Sequence, residues 1–168
     1  MTSFPLAPMS PLIRWMTVAL FGIPLAFLVL PTASGAPPPL AGVGLAVLAL
    51  FAAIWIWWRP TRFEVSAEGV RIVFPGRGRL VPLQDVSGCR LVSSTAFKGE
   101  FGWAMRIGAG GLWGGFGWLW TAKGGLLDFY ISRTDDFLLI ERRSAPHLLI
   151  TPERPDAMAQ AIEALVRG

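Results

Sequence analysis

Residues Leu40–Trp58 read LAGVGLAVLALFAAIWIWW, a run of nineteen residues without a charged side chain. An α-helix of that length rises about 28 Å, close to the roughly 30 Å hydrocarbon thickness of a bilayer. An earlier run of equal length, Leu12–Leu30, reads LIRWMTVALFGIPLAFLVL. Arg14 lies near its start, where a long side chain can reach the headgroups, and neighbouring helices tolerate a proline such as Pro24. The two runs predict a transmembrane helical hairpin, with helices over about 12–30 and 40–58.

The positive charges near these runs predict the orientation of the hairpin. Arg14 precedes most of the first run, Arg59 and Arg62 follow the second, and the connecting PTASGAPPP carries no charge. By the positive-inside rule, both termini and the C-terminal part are expected in the cytoplasm. A rival hypothesis is that the first run is a signal peptide cleaved near Ala33–Gly35. That hypothesis also leaves the C-terminal part in the cytoplasm.

Small residues at four-residue spacing occur in both runs, for example Gly22 with Ala26 and Gly42 with Ala46. Such residues let two helices approach closely in a membrane. The same residues are common in any apolar span, so a specific packing motif and ordinary composition both stay open.

The composition agrees with a membrane protein, since 53% of residues are hydrophobic and only 15% are charged. The single cysteine, Cys89, excludes an internal disulfide, and one histidine, His147, cannot build a Cys/His zinc site. The net charge of +4 comes without an RNA-binding motif, and attraction to anionic lipid headgroups explains it better than nucleic acid does. The expected partner is therefore the lipid bilayer, with no cofactor, metal or nucleic acid.

The hydrophobic period changes to two after Arg62, which indicates short strands. The runs RFEVS, VRIVF, LLDFYIS, FLLIER and HLLIT are separated by turn residues at intervals of about ten residues, a spacing typical of an antiparallel meander. The final segment, PDAMAQAIEALVRG, places Met158, Ile162, Leu165 and Val166 on one stripe and predicts an amphipathic helix over about 155–167. We expect two parts, a hairpin over 1–61 and a β domain over 62–168.

Three segments of the β domain carry a resemblance to a known family. They are RIGAGG from Arg106, GGFGWLWTAKGGLLDFYISRTDDFLLIERR with its paired Gly124 and Gly125, and LLITPERPDAMAQAIEAL. Together they resemble bacterial pleckstrin-homology-like (PH-like) domains, several of which follow a pair of transmembrane helices. The resemblance implies an α+β fold in which a PH-like antiparallel β-barrel of about seven strands is capped by the C-terminal helix. It implies no catalytic residue, and it places the protein in the bacterial plasma (inner) membrane.

The most unusual segment is Gly108–Trp120, which reads GAGGLWGGFGWLW. A dinucleotide fingerprint would need a glycine where Trp113 stands, and no GK[ST] motif occurs, so the segment is not predicted to bind nucleotides. Period two favours a strand with Phe116, Trp118 and Trp120 on its core face. Trp113 and the leucine before it show no period. For them two interpretations stay open, local packing or contact with a membrane or partner.

A basic turn supplies the remaining candidate residues. Arg77 and Arg79, supported by Arg62 and Arg71, form a patch that could contact anionic lipid, and with Trp113 they are the predicted lipid-binding residues. Because the helices would tether the domain, weak contacts could still orient it. The alternative is a solvated turn whose arginines aid solubility.

Catalysis is not predicted. His147 begins an apolar strand without a G-x-S-x-G motif elsewhere, and Asp135 and Asp136 lie in a turn where aspartate is expected for backbone bonding. Two functional hypotheses follow. The protein is a membrane-anchored interaction module that binds a protein partner or another copy of itself, or it is a sensor of anionic lipid or envelope state at the inner leaflet.

Overall fold

A pair of long helices leads out of the β domain and back. The computed structural model describes residues 1–34 and 39–167. Helix α1 spans Pro11–Ser34 and α2 spans Pro39–Trp57, each beginning with a proline at the position where its missing N–H costs nothing. Both are long and apolar enough to cross a membrane, which confirms that part of the prediction. The segment predicted as the connecting loop is shorter than expected, because α1 extends into it as far as Ser34. Residues 35–38 of that segment lie outside the described residues.

Helices α1 and α2 pack against each other as an antiparallel pair. The Phe21 and Phe51 rings meet edge to face at 5.2 Å. At Gly44, a Cβ atom would lie only 2.8 Å from the Pro24 carbonyl oxygen, so a glycine is needed there for close approach. The glycines of the predicted spacing pairs do not make such a contact, because Cβ positions at Gly22 and Gly42 have nothing within 4 Å.

The β domain contains ten strands among the described residues, arranged in two sheets. The first sheet has the order β1-β2-β3-β4, with strands Thr2–Pro5, Arg62–Ser66, Gly69–Val73 and Gly78–Pro82. The second contains β5 Val86–Val92, β6 Ala104–Gly110, β7 Gly115–Thr121, β8 Gly125–Ile131, β9 Phe137–Arg142 and β10 Leu148–Ile150. Helix α3, Ser94–Phe101, follows β5, and α4, Pro155–Arg167, ends the fold.

The α+β class is confirmed, whereas the predicted barrel of about seven strands is wrong. The two sheets are separate layers and do not close into a barrel. The order of the second sheet is β5-β9-β10-β8-β7-β6, so β10 lies between β8 and β9. It pairs parallel with β8 and antiparallel with β9, and the sheet is therefore mixed rather than a meander.

The first residues of the chain belong to the first sheet. Thr2 pairs with Val65 and Pro5 with Arg62 in an antiparallel ladder, and the Phe4 side chain is buried in the core. The sequence assigned all of 1–61 to the hairpin, so this strand was missed. Because β1 leads into α1 and α2 leads back into β2, the hairpin is an insertion between two paired strands, and its two bases lie at one end.

The central strands of the second sheet, β8, β9 and β10, are largely buried on both faces. One face packs against the first sheet and α4 through a core that includes Phe63, Ile72, Leu138, Ile150 and Met158. The opposite face packs beneath α3 through residues that include Val92, Phe97, Phe129, Phe137 and Leu149. On α4 the predicted stripe is confirmed at Met158 and Ile162, which are fully buried, while Val166 is exposed.

Candidate functional site

The glycine-rich loop between β6 and β7 docks on the helical hairpin. Its backbone closes on itself, with the Gly111 N–H donating to the Gly114 carbonyl at 3.0 Å. The buried Thr17 hydroxyl on α1 lies 3.1 Å from the Gly111 carbonyl and accepts a 2.9 Å hydrogen bond from the Trp113 N–H. A loop from the β domain is therefore fixed to the side of α1 more than a helical turn from its start.

The Trp113 ring inserts between the two helices. Its centroid lies 4.7 Å from that of Trp55 and 5.7 Å from that of Phe21, both in edge-to-face geometry. Trp113 has φ 57, a left-handed conformation that costs a non-glycine residue about 1–2 kcal/mol. Of the two interpretations left open by the sequence, the structure shows packing, and the packing partners are the two helices of the hairpin.

The strand after this loop has the predicted period but only part of the predicted burial. Phe116 is fully buried, whereas Trp118 and Trp120 on the same face are 52% and 42% exposed. The prediction that all three lie in the core is therefore wrong for the two tryptophans. They lie on β7, the strand next to the edge strand β6 of the second sheet.

These tryptophans belong to a continuous exposed surface. The register pairs Met105 with Trp120, Trp120 with Leu126, and Ile107 with Trp118, so all five side chains share one face. Each is at least 40% exposed. We call these five residues the apolar sheet face, and a water-soluble domain rarely leaves such a cluster uncovered.

A groove with a volume of about 1040 Å³ separates the apolar sheet face from α2. We call it the α2 groove. One wall consists of Leu50, Ala53, Ile54, Trp57 and Trp58, and the other of Ile107, Gly108, Gly117 and Trp118. Arg77, Arg79 and Tyr130 provide the polar part of the lining. The structure thus brings both predicted arginines to one groove, while Trp113 packs between the helices.

Arg77 holds the end of α2. Its Nε and Nη2 atoms donate to the Trp57 carbonyl at 3.1 and 3.0 Å, and its guanidinium lies 4.6 Å from the Phe74 ring centroid. A cation at this position neutralises the partial negative charge of a helix C-terminus. A second arginine, Arg59, lies 4.1 Å over the Trp55 ring, and burial lowers its pKa. The helix end is therefore surrounded by positive charge.

Arg79 joins the two sheets through a buried carboxylate. Its Nη2 donates to Asp128 at 2.7 Å and its Nη1 to the Tyr130 hydroxyl at 3.3 Å, while Arg142 donates to the same Asp128 oxygen at 2.5 Å. Burial alone would lower the pKa of Arg79, but Asp128 and Tyr130 raise it overall. One carboxylate between two guanidinium groups leaves this cluster with a net charge of +1.

Asp128 and Arg142 were not among the residues predicted from the sequence. A signal was present, because Asp128 stands in the apolar run LLDFYIS, where a carboxylate on a core face needs a cation. The partner could not be read from the sequence, since Arg79 lies 49 residues away.

The other side chains that could take part in catalysis have structural partners. His147 Nδ1 accepts from the Arg142 N–H at 3.1 Å, and Asp135 accepts from the Ser94 N–H at 2.7 Å. Burial, with two nearby carboxylates, raises the pKa of Cys89 to about 11, so its thiol stays protonated at neutral pH. Within residues 1–34 and 39–167, no group of three or more His, Cys, Asp or Glu side chains is arranged to hold a metal ion.

Comparison with protein-family models, with curated proteins and with solved structures finds no match for this chain.

Proposed function

We propose that this chain is a membrane-anchored, non-catalytic module of the PH-like kind that rests against the cytoplasmic face of the bacterial plasma membrane and contacts its lipid. In this proposal α1 and α2 cross the bilayer, and both termini and the β domain lie in the cytoplasm. The pairing of β1 with β2 supports the proposal, because it holds the two bases of the hairpin at one end. Arg14 and Arg59 lie near that end, as the positive-inside rule requires of a cytoplasmic side.

The docking of the glycine-rich loop is the observation that carries the lipid contact. Thr17 lies six residues beyond Pro11, which is about 9 Å along the helix axis. The 24 residues of α1 rise about 36 Å, only slightly more than the hydrocarbon thickness of about 30 Å. Even if the whole excess of about 6 Å lies at the start of α1, Thr17 is about 3 Å inside the hydrocarbon boundary, so the loop fixed there lies at the inner edge of the interface and the strands next to it are close to lipid.

The apolar sheet face supports the same proposal. It begins beside the docked loop and faces the exposed side of α2 across the α2 groove. Tryptophan is favoured at the membrane interface because its apolar ring can contact lipid while its N–H bonds to water or headgroups. The geometry thus favours the lipid-contacting hypothesis over a protein partner or a second copy, since Ile107 and Trp118 of the apolar sheet face line one groove together with α2, which crosses the bilayer in this proposal.

A fluorescence experiment on the full chain tests this proposal. In a Cys89→Ala background, Met105→Cys and Leu91→Cys place one label each at side chains that are equally exposed, both at 47%. Met105 lies on the apolar sheet face, and Leu91 lies on β5 at the opposite edge of the sheet. Each variant is labelled with bimane and reconstituted into vesicles that contain nitroxide-labelled phospholipid.

We expect nitroxide quenching at position 105 and little at position 91. Equal quenching at both positions, or quenching at neither, would contradict the seating of the sheet on the bilayer. If position 105 becomes shielded only as the protein concentration rises, the face binds a second copy instead. Protease added outside intact cells should also spare the chain beyond Trp58, and its digestion would reverse the proposed orientation.

A further inference from the structure

We infer that the α2 groove binds one anionic membrane phospholipid, with an acyl chain between α2 and the sheet and the phosphate at Arg77 and Arg79. This inference rests on the proposed function, because it requires the groove to open into the bilayer. It goes further by assigning a single bound lipid and the class of its headgroup.

The groove has the size and lining that such a ligand needs. Its volume of about 1040 Å³ is slightly above the roughly 300–1,000 Å³ typical of sites for small molecules. Leu50, Ile54 and Trp57 line the helix side, and Ile107 and Trp118 line the sheet side. An apolar cleft beside a membrane-spanning helix lies within reach of acyl chains, so lipid is the available occupant.

The floor of the groove is formed by two glycines that face each other. Gly108 on β6 pairs with Gly117 on β7. Their φ angles are +137 and +125, and Cβ atoms there would lie 2.5 and 2.7 Å from backbone oxygens of the facing strand. Side chains are therefore excluded at both positions, and the strands present bare backbone to the groove beside the Ile107–Trp118 pair. This explains why glycines interrupt an otherwise aromatic strand.

The polar part of the lining favours a phosphate. Arg77 is exposed, and the Arg79 side chain is 39% exposed although it also bonds to Asp128. The Asp128 cluster has a net charge of +1 and Arg77 adds another, so an anionic headgroup meets unbalanced positive charge. Arginine binds phosphate oxygens through paired N–H donors. The Tyr130 hydroxyl accepts from Arg79 and keeps its own hydrogen to donate.

Two pairs of variants separate the acyl-chain site from the headgroup site. Ala53→Phe places a ring in the groove, whereas Ala52→Phe adds the same ring one residue earlier on an exposed side of α2. Arg77→Gln removes a charge at the polar part, and Arg154→Gln removes an exposed charge outside the groove lining. None of these changes shortens a membrane-spanning run.

Native mass spectrometry of the full chain then measures bound lipid. The protein is purified from vesicles of equal parts phosphatidylglycerol and phosphatidylcholine and is released from detergent in the spectrometer. We expect one retained phospholipid in the parent chain, with phosphatidylglycerol preferred. Ala53→Phe should lose it while Ala52→Phe keeps it, and Arg77→Gln should weaken the preference about tenfold.

Three results would overturn the inference. They are no retained lipid in the parent chain, equal retention by Ala53→Phe and Ala52→Phe, or an unchanged preference in Arg77→Gln compared with Arg154→Gln. Quenching at Met105→Cys, measured in parallel, tells the two proposals apart. If quenching persists without a retained lipid, the sheet rests on the bilayer and the groove has no lipid site. If both the quenching and the retained lipid are absent, the proposed contact of the sheet with the bilayer is wrong.

Discussion

Truncation of Trp113 should release the glycine-rich loop from the helices without unfolding the β domain. In Trp113→Ala the backbone hydrogen bond from residue 113 to Thr17 can persist, but the ring between Phe21 and Trp55 is gone. The variant therefore isolates the contribution of the ring to docking.

The magnitude follows from the contacts that are lost. Each edge-to-face pair contributes about 0.5–1.5 kcal/mol beyond burial, and Trp113 makes two such pairs. The burial term is small, because the undocked ring would enter the membrane interface rather than water. A total of about 2 kcal/mol corresponds to a change of about 30-fold in the docking equilibrium.

Hydrogen exchange in detergent micelles measures this equilibrium at the amide of residue 113. We expect exchange about 30-fold faster in Trp113→Ala, with β9 unchanged, because local opening exposes the loop alone. Trp120→Ala is the matched control, since that ring is exposed and contacts Trp103 rather than a helix. Unchanged protection at residue 113 would refute the contribution of the Trp113 ring to docking. An equal loss of protection in β9 would show unfolding instead of undocking.

Three further predictions concern stability. Asp128→Asn should lower the free energy of unfolding by about 3 kcal/mol and the Tm of the β domain by about 15 °C. This cost is near the lower end for a broken buried ion pair, because one arginine partner is partly exposed. Asp156→Asn, at an exposed residue at the start of α4, should leave the Tm nearly unchanged. Gly44→Ala should destabilise the hairpin in micelles by about 1–3 kcal/mol, whereas Gly42→Ala, with open space at its Cβ, should not. The Tm should also fall in acid, because hydrogen bonds from Ser144 hold the pKa of Asp85 below its usual value of about 3.9, and Asp85→Asn should make that fall smaller.

The sign of the acid effect follows from the direction of the shift. A carboxylate whose pKa is lower in the folded state stabilises the fold above its unfolded-state pKa, and that contribution disappears as the pH falls through the folded-state value. Asp135, held by the Ser94 and Asp136 N–H groups, acts in the same direction. A Tm that rises on acidification, or an Asp85→Asn variant with the same acid profile as the parent, would contradict this assignment.

The sequence predicted those elements whose pattern repeats within a few residues. The apolar runs specified α1 and α2, and the 3.6-residue stripe with Met158 and Ile162 specified α4. Strand β1 was missed because its four residues, Thr2–Pro5, are too few to show a period. The place of β10 was missed because insertion between β8 and β9 depends on pairing across the sheet, which no local pattern records.

Site residues were harder to predict for a related reason. Period two placed Phe116, Trp118 and Trp120 on one face correctly, but a period does not tell how far the opposite sheet extends. Trp113 had no period, because its role depends on α1 and α2, more than 50 residues earlier in the chain. Arg79 was predicted as part of a basic patch. Its ion pair with Asp128 was not predicted, because the aspartate is distant in the sequence.

Three attachments together fix how the β domain sits on the hairpin. The β1–β2 ladder holds both helix bases, Arg77 holds the end of α2, and Trp113 holds the helices at the level of Phe21 and Trp55. A flexible linker would be enough to tether a domain that only needs to be near a membrane. Arg77 and Trp113 attach the domain to α2 at Trp57 and Trp55, and Thr17 attaches it to α1, so in the proposed orientation the depth of the apolar sheet face follows the depth of the helices. In the proposed function, these attachments would present the apolar sheet face to lipid at one depth.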